Sequence, residues 1–315
     1  MTPPTTRLAP SPTGLLHLGH ARSFLAAWWC ARSEGGRVVL RIEDLDTGRS
    51  RPEFTDAARR DLEWLGLDWD GPELVQSEDL APYHDAARRL LERGDAFACV
   101  CSRRDVLEAL DAPHAADTEL RYPGTCRDRF TSVQDAEHRT GATAGVRLRV
   151  PEGRFAIRDE FAGRFEADPA REVGDFLLLR RDGAVSYQLA VVVDDARQGV
   201  DLVVRGDDLL PSAVRQALLQ RALGLPHPRW LHLPLVTDAD GNRLSKRAGA
   251  QALSTLRERG VDPRLVADWA ARSLGLAGDA ARATAREWLP RFRVAALAPR
   301  SAGTPSSLAP DPVDP

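Results

Sequence analysis

The sequence predicts an α/β fold built on a parallel sheet of the Rossmann type. Short apolar strand patterns alternate with helix patterns from the N-terminus onward, and this order is typical of parallel strands joined by crossover helices. The chain of 315 residues, with 43% hydrophobic and 28% charged residues, is long enough to bury a sizeable core. Ligands of such sheets bind at the carboxyl ends of the strands, so segments 9–14 and 43–46 are candidates for a binding site.

The individual elements follow from apolar runs and breaker residues. The predicted strands share short apolar runs bounded by turn residues. They cover 5–9, 37–42, 146–150, 154–157, 190–193, 202–204 and 230–236. The predicted helices share helical periodicity and end near glycine or proline. They cover about 19–33, 53–65, 209–223 and 250–274, the last with a break at Pro263.

The same pattern predicts how the chain divides into domains. Over 97–181 the alternation is interrupted by a Cys-x-Cys pair, a loop rich in Asp, Ala and Pro, and two short strands. We therefore expect a split Rossmann domain made of 1–96 and 182–249, with 97–181 as an inserted subdomain. A helical segment covers 250–298, and the tail 299–315 is predicted to be disordered from its Pro, Ala, Ser and Asp content.

Composition and charge exclude several classes of protein. There is no run of 18 uncharged apolar residues, and residues 1–7 lack the apolar stretch of a secretory signal. Four cysteines are too few for a disulfide framework in a chain of this length. The net charge of −3 argues against a protein that coats nucleic acid, although one local basic face could still grip RNA. We therefore expect a cytoplasmic protein that does not bind a membrane.

The first segment with candidate chemistry lies at the junction of the first strand and the first helix. It contains His17-Leu18-Gly19-His20, which places two imidazoles at a helix N-terminus, where N–H groups and the helix dipole favour anions. The imidazoles can donate to phosphate oxygens, and the glycine lets a flat base approach the backbone. The alternative is a capped surface helix with incidental histidines.

The second segment is 243–247, which holds the only lysine of the chain. Of the 43 basic residues, 42 are arginine and one is Lys246. This bias suggests that Lys246 lies where a guanidinium cannot serve, because the two cations differ in geometry and hydration. A lysine on a loop can act as a point charge on a polyphosphate. The alternative is a solvent-exposed basic loop.

The order and separation of these two segments resemble the signatures of class I aminoacyl-tRNA synthetases. Further segments resemble the glutamyl-tRNA synthetase family, and the resemblance extends over about residues 5–275. These segments are 7–14, 41–46, 65–70, 186–195 and 204–208. The resemblance implies the class I synthetase fold, catalytic roles for His17, His20 and Lys246, and ATP binding by these three residues and Gly19.

The resemblance also implies a binding site for glutamate. The implied residues are Arg7, Leu8, Ala9, Pro10, Ser11, Glu43, Tyr187 and Arg205. The chemistry agrees, because each of two arginines can form a bidentate pair with a carboxylate while Glu43 pairs with the ammonium group. The alternative is that Arg7, Glu43 and Arg205 form surface ion pairs, which is the commoner role of any one such residue.

The chain ends soon after Lys246, which leaves no room for the helical anticodon-binding region of a full glutamyl enzyme. It therefore resembles the short glutamyl-queuosine tRNA(Asp) synthetase family. That resemblance implies activation of L-glutamate with ATP and Mg²⁺ without tRNA, then transfer of glutamate to queuosine in the anticodon loop of tRNA(Asp), by a chain that we expect to be a monomer. The alternatives are a truncated glutamyl-tRNA synthetase, a glutamyl-adenylate ligase for another acceptor, and a catalytically silent binding paralogue.

The third candidate site is a group of cysteines in the predicted insertion. Cys99-x-Cys101 is followed by Tyr122 and Cys126. Three thiolates in a reduced compartment suggest zinc, but the spacing is not that of a zinc finger, and free thiols are the alternative. The resemblance to the queuosine-directed family implies one structural zinc ion with Tyr122 as the fourth ligand. From the residues alone, His114 is a rival ligand, because zinc ordinarily prefers an imidazole to a phenolate.

Overall fold

The computed structural model describes residues 2–109, 121–235, 252–276 and 282–297. Three predicted features lie outside these residues: the segment 243–247 with Lys246, the rival ligand His114, and the tail 299–315. Within the described ranges, no helix is both long and apolar enough to cross a bilayer.

Strands and helices alternate along much of the described chain. The strands are β1 (Thr5–Leu8), β2 (Arg37–Ile42), β3 (Leu74–Val75), β4 (Ala96–Cys99), β5 (Gly145–Leu148), β6 (Phe155–Asp159), β7 (Gly163–Ala167), β8 (Leu177–Leu179), β9 (Leu202–Gly206) and β10 (Arg229–Leu233). The helices are α1 (Leu18–Ser33), α2 (Pro52–Trp64), α3 (Ala81–Glu92), α4 (Arg103–Ala109), α5 (Val133–Thr140), α6 (Pro169–Glu172), α7 (Tyr187–Gln198), α8 (Leu210–Leu223), α9 (Leu253–Glu258), α10 (Pro263–Ser273) and α11 (Ala285–Trp288).

The predicted parallel sheet is confirmed. Strands β1, β2 and β3 pair in parallel in that order, and β9 pairs in parallel with β10 in a second sheet. The two sheets meet where β1 lies beside β9: the N–H of Asp201 donates to the carbonyl of Thr5 at 3.0 Å. The hydroxyl of Thr6 donates to the carbonyl of Leu202 at 2.8 Å. The carboxyl ends of β1, β2, β9 and β10 therefore face one common region.

The range 97–181 contributes to two different sheets. Strands β4, β5 and β8 form an antiparallel sheet of their own. The hairpin of β6 and β7 instead joins the second parallel sheet, where Asp159 at the end of β6 lies opposite Trp230 of β10. The domain boundaries at 96/97 and 181/182 remain a prediction.

One predicted strand, 190–193, is wrong, because these residues belong to helix α7. The hydroxyl of Ser186 accepts from the N–H of Leu189 and caps the start of this helix, and Gly199 ends it with a φ of 67°. Both ends thus carry strong helix signals, whereas the preference of three valines for a strand is weak and depends on context. The predicted break at Pro263 is confirmed, since this proline begins α10.

Helix α1 lies inside the fold, where Trp28 and Trp29 are fully buried. None of the residues of α1 is exposed, although the helix also carries polar side chains such as Arg22 and Arg32. The indole of Trp29 donates to the carbonyl of Ala285 in α11 at 2.8 Å, and the guanidinium of Arg22 donates to the carbonyl of Pro234 at 2.7 Å. The contact of Arg22 with Pro234 holds the first half of α1 close to the carboxyl end of β10.

Candidate active site

Most of the predicted binding residues line a single cavity of about 490 Å³ at the carboxyl ends of β1, β2, β9 and β10. They are Arg7, Ala9, Pro10, Ser11, His17, Gly19, His20, Glu43, Tyr187 and Arg205. Leu8 differs, since its side chain is fully buried in the hydrophobic core and does not line the cavity. Arg7 and Leu8 are neighbours on a strand, where successive side chains point to opposite faces, and this separates them.

His17 and His20 close the first turn of α1. The N–H of Gly19 donates to Nδ1 of His17 at 3.2 Å, and the N–H of His17 donates to Nδ1 of His20 at 3.2 Å. Each Nδ1 is therefore an acceptor, which places the proton of each neutral ring on Nε2. The two rings present N–H donors at the positive end of the helix dipole, an arrangement that favours an anion.

Gly19 is required by the ring of His17. A Cβ at position 19 would lie 3.1 Å from Cε1 and 3.2 Å from Nδ1 of that ring. A side chain there would push the imidazole out of its capping position. The glycine thus serves the geometry of the histidine pair, a role that the sequence did not indicate.

Arg7 and Glu43 are linked by two residues that sequence analysis did not single out. The Nη1 of the fully buried Arg41 donates to Oδ1 of Asp195 at 2.8 Å, and its Nε donates to Oε1 of Glu43 at 3.2 Å. Nε of Arg7 lies 3.7 Å from the same Asp195 oxygen, and Nη1 of Arg7 donates to the carbonyl of Val204 at 3.1 Å. Asp195 thus holds two arginine side chains side by side.

Burial is the largest influence on the pKa values of Arg7 and Glu43. It lowers the pKa of Arg7, against the opposing effect of Asp195, and raises the pKa of Glu43, although Arg41 and Arg7 act to lower it. Among the described residues, the hydrogen bond to the second oxygen of Glu43 is a long one, 3.5 Å, from the hydroxyl of Ser11. A cation that bound beside Glu43 would stabilise its buried charge.

Arg205, near the carboxyl end of β9, also lines the cavity. Its Nη1 donates to the hydroxyl of Tyr187 at 3.3 Å, and its Nη2 donates to the carbonyl of Leu209 at 3.3 Å. Tyr187 is the first residue of α7 and is 40% exposed, so its ring is open to a ligand. The cavity therefore offers Arg7, Arg205 and Glu43 to the same bound molecule, and Arg22 and Asp208 also line it.

The predicted metal ligands lie together. The sulfur atoms of Cys99, Cys101 and Cys126 are all within 4.8 Å of one another. The hydroxyl of Tyr122 is 3.4 Å from Sγ of Cys99 and 3.7 Å from Sγ of Cys101. Tetrahedral zinc with bonds of roughly 2.3 Å to sulfur holds its ligands about 3.8 Å apart, so four donors at these spacings fit a zinc ion.

A buried arginine accompanies this cysteine cluster. Nε of Arg147 donates to Sγ of Cys99 at 3.2 Å, and its guanidinium lies 3.8 Å from the centre of the Tyr122 ring. The hydrogen bond from Cys101, together with Arg147 and Tyr122, lowers the pKa of Cys99 to about 5 against the effect of burial. The thiolate, which binds metals, is thereby favoured. No sequence motif pointed to Arg147.

A second cavity, of about 1020 Å³, lies between the cysteine cluster and the start of α7. Tyr187 lines both cavities, so they adjoin at its ring. Four arginines line the second cavity: Arg103, Arg147, Arg180 and Arg181. Asp175 and Asp182 also line it, so the arginines exceed the carboxylates and favour an anionic ligand.

The parallel sheet, the histidine pair and the strand-end cavity define a class I synthetase catalytic domain. Residues 5–287 match the family model of the tRNA synthetases class I (E and Q), catalytic domain, and the chain belongs to this family. Its members are ligases, and the resemblance stated from the motifs is confirmed.

Several curated relatives carry the name Glutamyl-Q tRNA(Asp) synthetase. The one from Symbiobacterium thermophilum is 45% identical over 300 residues, covering 92% of this chain and 93% of the relative. The one from Nocardia farcinica is 48% identical over 271 residues, covering 86% of this chain and 84% of the relative. A Glutamate--tRNA ligase from Nitratidesulfovibrio vulgaris is 44% identical over 268 residues, but this chain covers only 56% of that ligase.

The fold also matches a solved structure. A glutamate tRNA ligase from Elizabethkingia meningosepticum, crystallised in complex with its amino acid, superposes with a TM-score of 0.82 at 25% identity. The match covers 94% of this chain and 66% of that chain, so this chain spans slightly less than two thirds of the solved ligase.

Proposed function

We propose that this chain activates L-glutamate with ATP to form glutamyl-adenylate without tRNA, and then transfers the glutamate to queuosine in the anticodon loop of tRNA(Asp). The observation that carries the proposal is the convergence of Arg7, Arg205 and Glu43 on one cavity beside the paired His17 and His20. The Glutamyl-Q tRNA(Asp) synthetase from Symbiobacterium thermophilum, which the chain matches over 93% of that relative's length, supports the choice of acceptor.

The charges of the cavity match those of glutamate, which has two carboxylates and one ammonium group. Arg7 and Arg205 are on neighbouring strands, and each can form charge-assisted hydrogen bonds with one carboxylate. Arg7 lines the cavity, and Oδ1 of Asp195 lies 3.7 Å from its buried Nε, which helps to hold the guanidinium at this position. Glu43 pairs with the ammonium group, which offsets the cost of its buried charge.

The ATP phosphates bind at the start of α1 in this proposal. Nε2 of His17 and Nε2 of His20 donate to phosphate oxygens, and the helix dipole adds to the attraction. A carboxylate oxygen of glutamate then bonds to the α-phosphorus while the bond to the bridging oxygen breaks and pyrophosphate leaves. Such a step depends on positioning and charge stabilisation. Lys246 stabilises the charge on pyrophosphate, and Mg²⁺ bound with ATP neutralises part of the phosphate charge.

The acceptor RNA enters through the second cavity in this proposal. Its arginines contact phosphates, and a ring hydroxyl of queuosine reaches the first cavity past Tyr187. The hydroxyl oxygen bonds to the acyl carbon of the adenylate, the bond from that carbon to the phosphate oxygen breaks so that AMP leaves, and the hydroxyl proton passes to solvent. Cys99, Cys101, Tyr122 and Cys126 hold one zinc ion beside this route, where it stabilises the fold of the insertion. We propose that the chain acts as a monomer in the cytoplasm.

Glutamate-dependent exchange of pyrophosphate into ATP, measured without tRNA, tests the first half of the proposal. We expect exchange with glutamate and much weaker exchange with aspartate, whose side chain is one methylene shorter. Exchange that starts only when tRNA is added would instead favour an ordinary glutamyl-tRNA synthetase, the alternative that the 44% identical ligase supports.

A further inference from the structure

The guanidinium of Arg205 begins a buried chain of hydrogen bonds that continues through a histidine to an aspartate. Its Nε donates to Nε2 of His232 at 2.9 Å. Nδ1 of His232 lies 2.6 Å from Oδ2 of Asp159. The exposed fractions of Arg205, His232 and Asp159 are 6%, 0% and 2%, so water does not compete for these bonds. The three residues come from β9, β10 and β6.

The chemistry of the donors fixes every proton in this chain of bonds. A guanidinium can only donate, so Nε2 of His232 must be an acceptor, and the ring proton must be on Nδ1. From there it donates to Asp159. Asp159 is fixed in turn, because its Oδ1 accepts from the N–H groups of Phe161 at 2.9 Å and Ala162 at 2.7 Å.

The bond to His232 leaves Arg205 with a defined set of donors. Bonds to His232, Tyr187 and Leu209 use three of the five guanidinium N–H groups, one on each nitrogen. One N–H remains on each terminal nitrogen without a hydrogen bond among the described residues. One N–H on each terminal nitrogen is the donor set with which a guanidinium binds the two oxygens of a carboxylate.

We propose that Asp159 and His232 are positioning residues, which orient the guanidinium of Arg205 so that its two remaining N–H groups receive a carboxylate of the substrate. This inference rests on the proposed function, in which Arg205 binds glutamate. It also gives the β6–β7 hairpin a role in substrate binding, although that hairpin does not line the cavity.

Two variants of His232 separate the bond to Arg205 from the bond to Asp159. In His232→Gln the side-chain oxygen can reach the place of Nε2 and accept from Arg205. In His232→Asn the shorter amide can still donate to Asp159 but leaves Nε of Arg205 without its acceptor. We expect KM for glutamate to rise roughly 10- to 100-fold in His232→Asn and clearly less in His232→Gln, with KM for ATP unchanged in both.

Asp159→Asn tests the same bonds from the other end. The amide oxygen would keep the place of Oδ1, where it accepts from Phe161 and Ala162, and the NH₂ group would face Nδ1 of His232. The ring proton would then move to Nε2, where it would face the Nε–H of Arg205, so that two donors meet and the hydrogen bond is lost. KM for glutamate should rise in this variant, and Asp159→Asn should add little in the His232→Gln background, where no imidazole remains.

Pyrophosphate exchange and thermal unfolding on the same preparations distinguish the outcomes. Equal effects of His232→Asn and His232→Gln, or a parallel rise of both KM values, would overturn the inference in favour of a merely structural role. Failure of wild-type protein to use glutamate would overturn the proposed function instead. ¹⁵N NMR of His232 tests the inference without substrate, because it shows which ring nitrogen carries the proton. A proton on Nδ1 supports the positioning role, and a proton on Nε2 contradicts it.

Discussion

The rings of His17 and His20 lie 3.8 Å apart, centre to centre, because both side chains cap the first turn of α1. Each histidine is therefore a structural cap as well as a candidate phosphate ligand. The two roles have different chemical requirements, since a cap needs only an acceptor and a phosphate ligand needs a donor.

Substitution of His17 can separate these roles. His17→Asn keeps a side-chain oxygen for the cap, so the free energy of unfolding should stay near that of the wild type. His17→Ala should lose about 1 kcal/mol, the usual cost of a missing cap. Both variants should slow pyrophosphate exchange by roughly 10²- to 10³-fold. Urea unfolding and exchange kinetics are the measurements, and normal exchange in His17→Asn would remove the catalytic role.

Lys246→Ala should slow adenylate formation by roughly 10²- to 10³-fold and leave glutamate affinity nearly unchanged. The reason is that a point charge on pyrophosphate acts in the transition state. Lys246→Arg is the matched control, because arginine stands at the other 42 basic positions. If Lys246→Arg restored full exchange, the argument from the single lysine would fail.

The purified protein should contain about one zinc ion per chain, and Cys101→Ser should lower that content sharply. Arg147→Leu should weaken zinc binding by roughly 10- to 100-fold, because it removes the donor to a ligand sulfur. Arg104→Leu is the control, since Arg104 is exposed and pairs with Glu108 on the surface of α4. Metal analysis and a competition titration with a chelator are the measurements. Equal zinc affinity in both arginine variants would show that the contact of Arg147 with Cys99 is incidental.

The environment of His232 predicts how stability depends on pH. Burial and the charges of Arg205 and Arg7 lower the pKa of His232, against the raising effect of Asp159. The unfolded chain therefore takes up this proton first, at about pH 6.5, and stability falls as the pH decreases below that value. The slope is at most about 1.4 kcal/mol per pH unit.

His232→Gln should remove this contribution. Urea unfolding between pH 7.5 and 5 should show a smaller loss of stability in His232→Gln than in the wild type. Identical slopes would mean that His232 does not titrate differently in the folded and unfolded states.

The predicted strand ends indicated segments 9–14 and 43–46, and the family resemblance supplied Arg7, Tyr187 and Arg205. Arg7 and Arg205 are near the carboxyl ends of β1 and β9, and Glu43 directly follows β2. Parallel strands bring their carboxyl ends to one edge, so the topology and the motifs together indicated a common site.

The residues that hold this site in place could not be predicted in the same way. Arg41 contacts Asp195, which is 154 positions away, and His232 contacts Asp159, which is 73 positions away. Local periodicity has no information on such pairs, which form only when strands from distant parts of the chain become neighbours. The wrong strand prediction at 190–193 has a local cause. The sequence contains the helix-capping residues Ser186 and Gly199, but the run of valines between them favours a strand.

The central claim is the identity of the acceptor, and transfer of labelled glutamate tests it most directly. The assay compares tRNA(Asp) with queuosine, tRNA(Asp) without queuosine, and tRNA(Glu), followed by nuclease digestion to isolate the labelled nucleoside. We predict label on queuosine from the first RNA alone, and binding that weakens as salt concentration rises. Label on a terminal adenosine, with tRNA(Glu) as substrate, would contradict the account and identify a glutamyl-tRNA synthetase activity.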